Sequence, residues 1–299
     1  MKKIYLIMII VALVSLLSGV HENAGEYGFQ VLGVNSSPAM AGMGDTGSLV
    51  VEDGLNFLAN PTAGLFNKSK IVTASQNFWL FDNQMISGGY SENHRKYHFG
   101  VGFKQLSYGE IDERDETGAI IGEYTPIDFV GTLNFAYRIG ATFYVGINTN
   151  FLYEKIHTAS SYGVSGDLGY VWAMPIRDTK LYGTVKNIGS TSKMDKEEVD
   201  LAKTYEIGLS KEIFSRGYDV AFDAKLFKSD DTDLSYNFGV QLKTFEILYL
   251  RSGYKVNDDT NDLSYGIGID YDSFNIDYAY LQMKDDIDAV HMVSVSYKF

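Results

Sequence analysis

The 299-residue chain contains no cysteine, which excludes disulfides, thiolate metal sites and a cysteine nucleophile together. It is short of positive charge: 25 Lys and Arg stand against 38 Asp and Glu, a formal net charge of −13. Nucleic acid is thereby excluded as a partner, because binding phosphate needs clustered Lys and Arg. Beyond residue 20 the sequence has no apolar run of the roughly 18 residues that a membrane-spanning helix requires. Proline is sparse, with 4 residues, whereas Tyr numbers 22, Phe 18 and Gly 30. Tyr and Phe favour pleated, half-buried surfaces, so the composition leans towards strands.

The start reads as a targeting segment. Lys2 and Lys3 precede an almost wholly apolar Ile4–Leu17, and small and polar residues follow in "SGVHENAG". This is the layout of a secretory signal peptide over residues 1–24, cut after Ala24. With no Cys after the apolar run, an anchor of the bacterial lipoprotein type is excluded.

From Lys70 onwards the dominant period is two. "YHFGVGFKQ" sets Tyr97, Phe99, Val101 and Phe103 on one face and His98, Gly100, Gly102 and Lys104 on the other. Fourteen such runs follow one another, near 69–78, 84–91, 97–108, 127–139, 142–154, 161–173, 179–187, 203–211, 217–227, 233–243, 246–255, 263–271, 274–282 and 290–299. Most are as long as the roughly 9 to 11 residues that a tilted strand needs to cross a bilayer. The non-aromatic face carries Gly, Ser, Asn and charged residues. A closed barrel in lipid accommodates both faces, the aromatic one on hydrocarbon and the mixed one on the lumen.

The expected fold is therefore all-β: a transmembrane antiparallel barrel of about fourteen strands over residues 69–299, in the bacterial outer membrane and in contact with its lipid. If the first strand runs outward, every long connection falls on the outer side, as such barrels require. The same side collects the acidic clusters, among them Asp230, Asp231 and Asp233, Asp258, Asp259 and Asp262, and Asp285, Asp286 and Asp288. None has the spacing of an EF-hand loop; they either keep the loops soluble or bridge divalent ions to surface glycolipid or a partner. Trp79 and Trp172, the only tryptophans, fall near opposite boundaries and fit an aromatic girdle.

The chain ends "HMVSVSYKF", inside a strand. A barrel closes when its last strand pairs with its first, so a chain can stop there. Tyr297 and Phe299 also resemble the C-terminal signal read by the barrel-assembly machinery, which makes that machinery an expected partner during biogenesis.

Residues 25–68 do not alternate. Ala39, Met40, Gly42, Met43, Gly44 and Gly47, then Asp53, Asn60, Pro61, Ala63, Gly64 and Leu65, resemble the start of the PorV/PorQ proteins, relatives of the FadL-type transporters. Asp45 stands where that pattern has a second Gly, and Thr62 interrupts its Asn-Pro-Ala. The resemblance implies a segment tucked inside the barrel as a plug, with Gly42, Gly44, Gly47, Asn60, Pro61 and Gly64 as its motif. It also implies a non-enzymatic platform for secretion or surface assembly, with components of type IX secretion as partners.

A second reading is FadL-like passage of hydrophobic small molecules, which predicts an apolar patch in the lumen. The inward set derived from the alternation is largely polar and includes Arg138, Asp223, Lys225 and Arg251, best explained as ion pairs that neutralise the interior. The third is an outer-membrane lipid-modifying enzyme using Ser, His and Asn. The five histidines, His21, His94, His98, His157 and His291, give no such trio by spacing. No catalytic, cofactor or metal site is assigned.

Overall fold

A computed structural model describes residues 21–81, 83–284 and 287–299. Most of the signal-peptide reading, and Asp285 and Asp286 of the last acidic cluster, lie outside the described residues. The strands are β1 (Ile71–Phe78), β2 (Gln84–His94), β3 (Tyr97–Ser107), β4 (Ile111–Arg114) and β5 (Ile120–Tyr124). They continue with β6 (Ile127–Ile139), β7 (Phe143–Ile156), β8 (Ala159–Ala173), β9 (Thr179–Thr191), β10 (Thr204–Phe214) and β11 (Tyr218–Ser229). The last five are β12 (Ser235–Thr244), β13 (Leu248–Val256), β14 (Asn261–Tyr271), β15 (Phe274–Met283) and β16 (Val290–Lys298).

All but β4 and β5 close into one barrel of fourteen strands, each antiparallel to its neighbours. The first and last strands pair from Ile71↔Lys298 to Phe78↔His291, and the Phe299 amide donates to the Lys70 carbonyl at 2.9 Å. No strand edge is left in lipid, where unpaired backbone groups would be costly. The long outer connection over 109–126, between the runs expected at 97–108 and 127–139, is partly ordered. It holds β4 and β5 as a separate hairpin, because β3 pairs directly with β6.

The burial pattern is inverted relative to a soluble protein. On β3, Phe99 is 50% exposed, whereas the neighbouring His98 is fully buried. Leu133, Phe135, Phe151, Val164, Phe222 and Phe238 belong to the same outward set. Tyr297 lies in it too, with Phe299 edge-on to its ring at 4.8 Å. Trp172 faces outward at the inner end of β8, as a girdle residue would. Trp79 does not. Phe78 points outward, so Trp79 turns inward and packs against a lumen cluster containing Leu281 and Met292.

Register is continuous at nearly every seam. The main exception lies between β8 and β9, where Gly166 pairs with Ile188 but Leu168 with Val185. Lys186 and Asn187 together stand opposite Asp167 and form a bulge of one extra residue, and Asn187 adopts a left-handed φ of 64°.

Candidate functional site

The lumen holds the N-terminal segment, built of four short helical turns at Gln30–Leu32, Pro38–Ala41, Asn56–Ala59 and Ala63–Phe66. Ser37 caps the second turn and Pro38 begins it. The segment lies against the wall at positions without side chains. A Cβ on Gly64 would overlap the His98 ring, and one on Gly42 would come 2.8 Å from the Gly266 Cα. Gly44 and Gly47 take positive φ, 67° and 78°, which suits glycine. Asp45 also adopts a left-handed φ of 60°, a conformation that Asp tolerates better than most residues. This accounts for an Asp where the PorV/PorQ-like pattern has Gly. Thr62 donates its amide and hydroxyl to Asn60 Oδ1, at 3.0 and 2.7 Å, and so tightens the turn that it interrupts in sequence.

A chain of hydrogen bonds ties this segment to the wall. Asn67 Nδ2 donates to the Asp53 carbonyl (2.9 Å) and to Ser91 Oγ (2.8 Å). Ser91 Oγ meets His98 Nε2 at 2.7 Å, and His98 Nδ1 meets Asn134 Oδ1 at 2.7 Å. Asn134 Nδ2 donates to the Pro61 carbonyl and to Asn148 Oδ1, and Asn148 Nδ2 to the Phe57 carbonyl and to Asp167 Oδ2. Because the Asn134 amide nitrogen is engaged as donor, its oxygen accepts, which puts the histidine proton on Nδ1 and makes the serine hydroxyl a donor. Each donor along the chain is polarised towards the Asp167 carboxylate.

Ser91, His98 and Asn134 thus form the trio that spacing alone did not reveal. It is fully enclosed: Ser91 and His98 are 0% exposed, Asn134 is 4% exposed, and the serine oxygen already accepts from Asn67. The trio clamps the segment; a substrate has no approach to the hydroxyl. His94 pairs with Glu92, His157 with Glu113, and His291 with the Tyr278 hydroxyl on the outer wall. Among the described residues no three His, Asp or Glu side chains are gathered in a metal-binding group.

Inside the segment, Asp53 is 2% exposed and accepts from Ser37 Oγ (2.5 Å) and the Leu55 amide (2.9 Å). Burial raises its carboxyl above the ordinary range, opposed by these two donors.

Above the segment lies a cavity of about 430 Å³, opening among the outer loops at Asp231, Asp233 and Asp258. Its two sides differ. One is apolar and includes Met40, Leu55, Leu58, Trp79, Leu106 and Met292. The other is ionic. Lys186 and Lys225 share Glu206 at 3.1 and 3.3 Å, and Lys255 pairs with Asp45 at 2.5 Å and Asp258 at 3.5 Å. Lys104 donates only to the Leu32 and Val34 carbonyls, each at 3.2 Å.

The candidate charges separate in space. Lys225 lines this cavity. Asp223 lies deeper and accepts from the Tyr182 hydroxyl at 2.7 Å. Arg251 pairs with Asp277 (2.5 Å) and Gln241 (2.7 Å). Arg138 is at the inner rim, where it caps the carbonyls of Gly140 and Ala141.

The largely polar interior derived from alternation needs correction at the outer end. Met85, Leu106, Val130, Leu152, Leu281 and Met292 all point inward and are buried. Four of them pack on Phe29 and Val31 of the N-terminal segment, together with Leu201 from the β9–β10 loop. That loop also bonds to the segment, as the Gly28 amide donates to the Asp200 carbonyl.

A closed fourteen-stranded barrel with an apolar outer belt and an occupied lumen defines the class: the chain is an outer-membrane β-barrel. Neither a protein-family model nor a curated protein matches the sequence. Solved structures similar in fold include the Pseudomonas putida toluene transporter TodX, at 13% identity and TM-score 0.60, covering 88% of this chain and 98% of that one. The CymD monoaromatic hydrocarbon channel is similar at 14% identity and TM-score 0.65, covering 89% and 98%. A Pseudomonas aeruginosa FadL homologue is similar at 12% identity and TM-score 0.56, covering 89% and 99%.

Proposed function

We propose that the chain is an outer-membrane channel for small, mainly apolar molecules, with residues 69–299 as the conduit and residues 25–68 as its gate. The observation that carries this reading is the cavity above the segment. It lies within the roughly 300–1,000 Å³ of small-molecule sites and joins an apolar side to a few convergent polar groups. The FadL-like fold supports it, since the similar structures named above include a toluene transporter and a monoaromatic hydrocarbon channel.

The residues that resemble PorV/PorQ are buried against the wall, where they dock the segment. Their likeness is therefore explained without a secretion partner, and the platform role gains no support from the fold. Tyr297 and Phe299 keep their proposed role in barrel assembly, and both are accessible on the lipid face.

The test is uptake of labelled toluene by host cells with an intact outer membrane and no hydrocarbon channel of their own. The chain should accelerate uptake, and Leu58→Asp, which charges the apolar side, should abolish the gain at equal expression. Uptake equal to that of empty-vector cells would overturn the reading.

A further inference from the structure

We propose that the lipid-facing wall over β7–β11 holds a site for one anionic lipid, with an acyl chain in an apolar groove and the headgroup phosphate on Lys228. The groove is open to the lipid side, has a volume of about 660 Å³ and is flanked by Leu168, Tyr170, Val185, Tyr205, Ile207 and Leu226.

The concavity is built into the strands. The outward position 183 is a glycine, which lets the Tyr170 ring lie flat on β9 as the floor of the groove, where a Cβ would come 2.6 Å from it. At the β9 bulge two consecutive residues leave the outer face: Lys186 reaches Glu206 in the lumen, and Asn187, whose side-chain amide donates to the Ala202 carbonyl, lines the lumen cavity. Between Val185 and Ile188, β9 therefore presents no side chain to lipid.

Length and charge choose the occupant. Val145, at one end of the groove, is two residues from the inner start of β7, and Lys228, at the other, is one residue from the outer end of β11. A groove running from the outer boundary deep into the wall suits an acyl chain better than a compact solute. It opens on hydrocarbon, and an ammonium at the boundary attracts anionic headgroups. Lys228 donates to the Thr232 carbonyl and lies 3.4 Å from His21 Nε2, and among the described residues no carboxylate pairs with it. Asp231 and Asp233 of the adjoining loop line the lumen cavity instead.

The test uses the full chain in detergent, with phosphatidylglycerol or phosphatidylcholine added, read by native mass spectrometry. One phosphatidylglycerol should remain bound, preferred over phosphatidylcholine by about fivefold, as one lysine near the surface would give. Leu168→Trp, which fills the groove from the lipid side, should lose the bound lipid, whereas Lys228→Gln should keep lipid but lose the preference. Heat-modifiable migration checks that both variants are folded. Retention in both variants equal to that of the parent, or several lipids bound without preference, would overturn the site.

Discussion

Gly253 on β13 and Gly44 in the lumen segment meet backbone to backbone, so closely that a Cβ on Gly253 would overlap the Gly44 amide nitrogen. The segment is fixed here by the absence of side chains. Gly253→Val should therefore lift it from the wall while the barrel, whose ladders do not involve that side chain, still closes. In planar bilayers the parent should be silent and the variant should show ion steps. A variant as silent as the parent would mean that the segment closes the lumen without this contact.

His98 links the segment to the wall through Ser91 and Asn134. His98→Leu leaves a buried hydroxyl and a buried amide without their partner, at about 1–3 kcal/mol each. Urea unfolding in detergent micelles should register a loss of that size. Unchanged stability would show that the two groups find other partners.

Asp53 supplies a pH dependence. Its folded-state carboxyl is raised, so the folded protein binds a proton more readily than the unfolded chain does. The resulting stability is fully present below the unfolded value and is lost as pH rises through the folded one. Asp53→Asn keeps an oxygen for the Leu55 amide and offers its nitrogen to Ser37 Oγ. Midpoints measured across the acid range should fall with rising pH more steeply in the parent than in this variant. Parallel curves would remove Asp53 as the source.

How much of this was legible depends on periodicity. Strict alternation marked fourteen strands and both faces of the wall, because lipid and lumen impose opposite demands on successive residues. The interior was harder to read. Leu106 and Met292 sit on a lumen face that is mostly polar away from the outer end, and their reason for being apolar, the packing of Phe29, Val31 and Trp79, lies far away in sequence. Ser91, His98 and Asn134 come from three strands, and only the register places them side by side. The bulge at Lys186 and Asn187 leaves no mark on composition. A shift in the alternation between Val185 and Ile188 was its only trace.

Trp79 lines the lumen cavity, whereas Trp172 faces lipid, so each tryptophan can report on one environment. In Trp172→Phe protein held in detergent, bromobenzene should quench the remaining Trp79 saturably. In Trp79→Phe protein the quenching of Trp172 should rise linearly, as partitioning into the micelle does. Linear quenching of both tryptophans would contradict a lumen that receives small apolar molecules.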